Sequence, residues 1–147
     1  MAEKQETGIK KNARDAVNAL FAQGKAAGPS EAAQLACRMI GQAARSQKDP
    51  RRSVADVCLG VMEGLFLHNQ DLPETALKIM ESLPNMSLIM RVGPQDLMTW
   101  VMEGIAEATP MTGARVRSDI QRKLDERYTG VGLVFSSLCD QVGQKGK

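Results

Sequence analysis

The chain has 147 residues, of which 43% are hydrophobic and 24% are charged. This length fits one domain, and this balance excludes a disordered chain and favours a globular fold. Only five residues are aromatic, whereas helix formers such as Ala, Leu, Met, Gln and Glu dominate. Because no stretch alternates apolar and polar residues for long, we expect an all-α protein.

The sequence excludes several classes of protein. No apolar run reaches the roughly 18 residues of a transmembrane segment, and the N-terminal residues lack the apolar stretch of a secretory signal. The three cysteines are odd in number and far apart, which indicates reduced core thiols and not a disulfide framework. We therefore expect a cytoplasmic protein.

The charges are unevenly distributed along the chain. Residues 1–53 carry ten Lys and Arg against five Asp and Glu, residues 54–109 carry two against eight, and residues 110–147 carry seven against four. An acidic middle between basic ends can pair within one fold or between subunits.

The first two predicted helices are separated by a Gly- and Pro-containing turn. Residues 1–8 are predicted to be a flexible polar tail, and the first helix to run from about Ile9 to Gln23. Ser30 is the predicted N-cap of the second helix, which the Asp49-Pro50 turn ends.

The third and fourth helices lie in the acidic part of the chain. Ser53 is the predicted cap of the third helix, which runs to about Asn69. Asp71 followed by Pro73 predicts the start of the fourth, which is expected to end at Pro84. Residues 85–93 are short and apolar, and fit either a helical turn or an extended buried connector.

Three further helices complete the prediction. The fifth begins at Gly93-Pro94 and stops near Pro110, and the sixth begins at Thr112 or Gly113. The seventh is apolar at helical spacing and precedes a flexible polar tail over residues 143–147. Short loops favour antiparallel neighbours, so we predict a single helical domain over residues 9–142, a compact bundle of six or seven short helices.

The stretch Val-Met-Glu-Gly occurs twice, at residues 61–64 and 101–104. At roughly 100° per residue, Glu63 and Glu103 lie opposite the apolar faces of their helices. We interpret both as solvated and not as catalytic, because a catalytic carboxyl group needs burial or a charged neighbour. The spacing of the two copies also fits a short HEAT-like helical-hairpin repeat, which is the alternative fold.

Three glycines inside the predicted helices need a structural reason, because each costs about 1 kcal/mol relative to Ala. Gly60, Gly64 and Gly104 lack a side chain and therefore let another helix approach closely. We predict that they lie at helix crossings.

The third helix is apolar nearly all round, with Leu59, Phe66 and Leu67 outside its main apolar face. Such a helix is either central to its fold or covered by a partner. Trp100 lies at the edge of the apolar face of the fifth helix, where Trp often anchors an interface. These four residues form the candidate interface, and homodimerisation through them is a hypothesis.

The densest basic stretch is the loop over residues 45–53, with Arg45, Lys48, Arg51 and Arg52. These four form a candidate anion-binding site. The alternative is a solubilising surface, because a nucleic-acid-binding domain normally has a larger basic excess.

Catalytic and cofactor motifs are missing from the sequence. His68 is the only histidine, without the motif of a catalytic triad, and is interpreted as a charge near a helix C-terminus. No spacing typical of metal or nucleotide binding is present, so no cofactor is predicted. We expect a non-enzymatic module that binds a protein or itself. The alternatives are an amphipathic helical protein that coats lipid or storage granules, and a nucleic-acid-associated protein that uses the basic loop.

Overall fold

The computed structural model describes residues 2–22, 28–46 and 49–145, with side chains from residue 8 to residue 143 except residue 46. Within these ranges the chain forms seven α-helices and no β-strand, which confirms the predicted all-α bundle. The helices are α1 (Ala2–Ala22), α2 (Pro29–Ser46), α3 (Pro50–Leu67), α4 (Leu72–Met90), α5 (Pro94–Thr112), α6 (Ala114–Arg127) and α7 (Val131–Lys145).

Aspartate side chains and prolines start α3 and α4. The Asp49 carboxylate accepts a hydrogen bond from the backbone N–H of Arg52 at 3.2 Å, and Asp71 accepts one from Glu74 at 3.0 Å. In each helix a proline occupies the first turn, where its missing N–H leaves no hydrogen bond unmade. Asp71 is the predicted cap, whereas the prediction of Ser53 is wrong because α3 starts before it and buries it.

The starts of α1 and α2 also differ from the prediction. α1 begins at Ala2 and not near Ile9. Ser30 lies inside α2 and does not cap it, because Pro29 is already helical. The Glu31 carboxylate instead accepts a hydrogen bond from the Gly28 N–H at 3.1 Å, which satisfies a donor at the helix start.

α4 does not end at Pro84 but continues to Met90. The proline removes one backbone hydrogen bond, yet Leu83 and Ser87 are buried on the inner face on either side of it. Burial of this face outweighs the lost bond. Ser87 then donates a hydrogen bond from Oγ to the carbonyl oxygen of Val92, which closes the helix end. The open question about residues 85–93 is thereby answered: they are helical up to Met90.

The seven helices lie in two layers. α1, α3, α5 and α7 pack side by side in one layer, and α2, α4 and α6 pack in the other. Each helix thus contacts the helix two positions along the chain, as in stacked helical hairpins. This order places the two helices that carry Val-Met-Glu-Gly next to each other.

α3 lies at the centre of the bundle. It contacts α1 and α5 within its own layer and α2 and α4 in the other. Eleven of its 18 residues are buried, which is the physical reason for its apolar residues on nearly every side. The largest fully buried side chains of the described residues come from both layers: Val17, Ile40, Met62, Leu65, Ile79, Met80, Leu83, Leu97, Ile105, Ile120, Leu124 and Phe135.

Candidate functional site

The glutamates of the repeated motif form ion pairs between neighbouring helices of one layer. The Glu63 carboxylate lies 3.8 Å from Lys10 Nζ and 3.7 Å from Arg14 Nη1, both on α1. The Glu103 carboxylate accepts a hydrogen bond from Arg51 Nη2 on α3 at 2.7 Å. Their side chains are only 16% and 18% exposed, so the predicted solvated position is wrong. Each glutamate links its helix to the preceding helix of the layer.

The two motif glycines, Gly64 and Gly104, and the neighbouring Gly60 lie at the same helix crossings, as predicted. A Cβ atom on Gly60 would overlap the carbonyl oxygen of Lys10, and one on Gly104 would overlap that of Ala55. A Cβ atom on Gly64 would lie 2.9 Å from Val17 Cβ. Both copies of Val-Met-Glu-Gly therefore have the same structural role. The Glu forms an ion pair with the preceding helix of the layer, and the Gly lets that helix approach closely.

Arg52 joins α3 to α5 through two carboxylates. Its Nη2 atom lies 2.8 Å from Asp56 Oδ1 and 2.5 Å from Glu107 Oε1, and Asp56 is buried. Burial alone lowers the pKa of the Arg52 guanidinium, but the hydrogen bonds and charges of Glu107 and Asp56 outweigh burial and raise it. Arg52 thus stays charged and neutralises a partly buried acidic pair.

The candidate anion-binding residues do not form one free basic surface. Arg51 and Arg52 are paired with carboxylates, and Lys48 lies outside the described residues. Arg45 donates a hydrogen bond from Nε to the carbonyl oxygen of Gly41 in its own helix, at 3.3 Å. Of the described members, only Arg45 retains a guanidinium without a carboxylate partner.

Three of the four candidate interface residues are largely covered by the fold itself. Leu59, Phe66 and Trp100 are partly buried and pack against the hydrophobic core, whereas Leu67 is 62% exposed. The central position of α3 accounts for Leu59 and Phe66 without any partner. Homodimerisation through this set stays a prediction.

Two of the three most exposed large apolar residues of the described chain lie near the end of α4, and the third is Leu133 on α7. Leu88 is 79% exposed and Ile89 is 73% exposed. Ile89 faces a groove between α2 and α4, and we call it the α2–α4 groove. Its volume is about 340 Å³, and it is lined by Cys37, Arg38, Gly41, Gln42, Arg45, Met86, Ile89 and Met90. This volume is at the lower end for binding pockets and accommodates a few side chains.

Helix packing and helix length together create this groove. Gly41 presents no side chain on α2, which leaves space beside it. Continuation of α4 beyond Pro84 brings Met86 and Met90 alongside α2, where both are partly buried. Methionine is flexible and polarisable, so these two side chains can adapt to different bound residues.

The sequence prediction does not include the groove, because Pro84 predicts the end of the fourth helix. A helical wheel continued past Pro84 places Leu88 and Ile89 about 140° and 240° from Leu83. This wheel separates the buried Leu83 from two exposed apolar residues. The separation is the sequence signal that indicates exposed apolar surface near the end of α4.

The three free cysteines differ in their access to solvent. Burial raises the pKa of the thiols of Cys37, Cys58 and Cys139. Cys58 is fully buried and Cys139 is nearly so, whereas Cys37 is partly exposed in the groove. All three are therefore poor nucleophiles in the folded protein.

This burial predicts the order of thiol modification. With an aromatic disulfide reagent at pH 8, Cys37 should react first, and Cys58 and Cys139 at least about tenfold more slowly. All three should react together once the protein is unfolded in urea. Peptide mapping of the modified residues gives the order, and equal rates for Cys58 and Cys37 in folded protein would contradict the packing of α3.

His68 contacts two side chains of α1. Its Nε2 atom is 2.9 Å from Asn18 Oδ1, and its ring stacks on Phe21 with 4.4 Å between the ring centres. These contacts fix the end of α3 to α1.

Among the residues that the structure describes, no group of three or more His, Cys, Asp or Glu side chains is arranged to hold a metal ion. No helix in these ranges is long and apolar enough to cross a membrane.

Comparison with known proteins finds no match. No protein-family model, no curated protein and no solved structure matches the chain. Any function must therefore be inferred from the geometry and chemistry of the chain itself.

Proposed function

We propose that this chain is a non-enzymatic protein-interaction module that binds a segment of a partner protein in the α2–α4 groove. The observation that carries the proposal is the exposure of Ile89 in a groove that Met86 and Met90 also line. Full burial of one such large apolar side chain is worth about 1.5–3 kcal/mol. A partner that covers Ile89 and the exposed parts of Met86 and Met90 thus gains a substantial part of a micromolar affinity.

The architecture supports a rigid binding surface. Interhelical ion pairs and glycine crossings hold α1, α3 and α5 together, and the second layer covers α3. A preorganised groove loses little entropy when it binds a ligand. The three free cysteines fit a reducing compartment, and we propose that the module acts in the cytoplasm.

The two alternatives have less support. A protein that coats lipid must open its helices onto the surface, and opening would expose the buried face of α3 and the buried Asp56. A nucleic-acid-associated protein would use the basic loop, where Arg51 and Arg52 already neutralise carboxylates. We therefore favour a protein partner.

Selection from a random 20-residue peptide display library against the full chain tests this proposal. Enriched peptides should lose at least about tenfold in affinity for the variant Ile89→Ser, because the variant removes the most exposed apolar contact of the groove. Binding is measured by fluorescence anisotropy, and circular dichroism checks the fold of the variant.

Leu133→Ser is the matched control. Leu133 is 73% exposed, as is Ile89, but it lies on α7 and does not line the groove. This variant should retain the affinity of the unsubstituted chain. Enriched peptides that bind equally well to the Ile89→Ser variant would show that the groove is not the binding site.

A further inference from the structure

The α2–α4 groove is bordered by arginines that have no acidic partner in the described chain. Arg38 and Arg45 line its α2 side, and neither forms an ion pair with a described carboxylate. Arg14, Arg117 and Arg127, which lie on other helices, are paired with Glu63, Asp140 and Glu81 respectively. The α2 side of the groove thus carries two positive charges that no described carboxylate neutralises.

One further cation lies at the end of α4. Arg91 directly follows Met90, which lines the groove, and it forms no ion pair with a described carboxylate.

The described lining residues of the groove include no Asp or Glu. The α4 side presents Met86, Ile89 and Met90, and the α2 side presents Arg38 and Arg45. A ligand that satisfies both sides needs apolar groups for the first and negative charge for the second. Guanidinium groups bind carboxylates with two parallel hydrogen bonds, so Arg38 and Arg45 suit Asp and Glu side chains.

We infer that the segment bound in the α2–α4 groove is an acidic amphipathic helix of a partner protein. This inference rests on the function proposed above and names the chemistry of the partner. A helix that lies between two others presents apolar residues at i, i+3, i+4 and i+7, which here contact the methionines and Ile89. Flanking carboxylates on the same helix then pair with Arg38 and Arg45.

Other anionic partners fit the groove less well. Single-stranded nucleic acid stacks its bases on aromatic side chains, and none of the described lining residues is aromatic. A second copy of this chain is disfavoured because few of its described carboxylates are free. Its glutamates at positions 63, 74, 81, 103 and 107 are already in ion pairs, and Glu31, Asp49, Asp71 and Asp125 accept backbone hydrogen bonds. A separate acidic segment satisfies both the charge and the apolar surface.

The test uses the most enriched peptide of the display selection and two derivatives of it. One derivative carries Gln in place of every Asp and Glu, and the other carries Lys. The selected peptide should be acidic, and the Gln derivative should bind at least about tenfold more weakly at low salt. The variant Arg38→Glu/Arg45→Glu should no longer bind the acidic peptide and should instead bind the Lys derivative. Arg115→Glu is the control, because Arg115 is also unpaired but lies on α6.

The outcomes separate this inference from the proposed function. Peptides that require Ile89 but bind Arg38→Glu/Arg45→Glu normally would overturn the acidic partner and leave the groove as a binding site. Peptides whose affinity is unchanged by Ile89→Ser would overturn both. Binding to phosphatidylglycerol vesicles or to single-stranded DNA that is tighter than to the peptide, and that Arg38→Glu/Arg45→Glu abolishes, would assign the groove to that anion instead.

Discussion

Replacement of Gly104 by alanine is expected to lower the free energy of unfolding by about 3 kcal/mol, the upper end of the usual cost of overpacking. The added methyl group would overlap the backbone carbonyl oxygen of Ala55 and lie 2.7 Å from Cys58 Cβ. A backbone atom cannot rotate away as a side chain can, so α3 and α5 must move apart. Chemical denaturation measures the loss, and the melting temperature should fall by about 6–12 °C.

Gly41→Ala is the matched control for this prediction. Gly41 is also inside a helix, but its added methyl group would meet nothing closer than Arg45 Nη2 at 3.9 Å. Its replacement should therefore be neutral or stabilise the protein by up to about 1 kcal/mol, through higher helix propensity. If both variants have the same stability, the close crossing of α3 and α5 is wrong.

The glycines and the glutamates of the repeated motif show what a single sequence can predict. Gly104 carries a known cost inside a helix, so a close crossing follows from local physics alone. Glu103 was assigned to solvent because a helical wheel describes one helix and not its neighbours. Its ion pair with Arg51, which lies 52 positions away, depends on the two-layer order of the helices.

The fold explains the uneven distribution of charge along the sequence. Acidic residues of the middle segment pair with cations of both ends, as Glu63 does with Lys10 and Glu74 does with Lys123. The hydrogen bond from Lys123 lowers the pKa of Glu74 and thus stabilises the ionised form of this partly buried pair. The predicted pairing of the acidic middle with the basic ends thus occurs within one chain.

The groove escaped prediction for two physical reasons. Pro84 normally ends a helix, and only the burial of Leu83 and Ser87 keeps α4 helical beyond it. In addition, the absence of an acidic partner for Arg38 is a property of all its neighbours in space. No periodicity within α2 contains that information.

Arg52→Met is expected to destabilise the protein by about 2 kcal/mol, less than the full cost of breaking a buried ion pair because the Arg52 side chain is 32% exposed. The substitution retains much of the apolar stem but removes the cation that pairs with Asp56 and Glu107. Denaturation in urea at pH 7 measures the effect. The double variant Arg52→Met/Glu107→Gln should recover part of the loss, because it removes the charge that was left uncompensated.

Arg122→Met provides the comparison for an exposed pair. Its side chain is 66% exposed, and its partners Asp119 and Glu126 lie on its own helix, so the cost should stay below about 0.5 kcal/mol. The difference in stability loss between the two variants shows whether Arg52 has a structural role or is available to bind an anion. A large cost for Arg52→Met identifies Arg52 as part of the frame that joins α3 to α5. A cost as small as that of Arg122→Met would instead leave Arg52 available to an anionic ligand and would strengthen the nucleic-acid alternative.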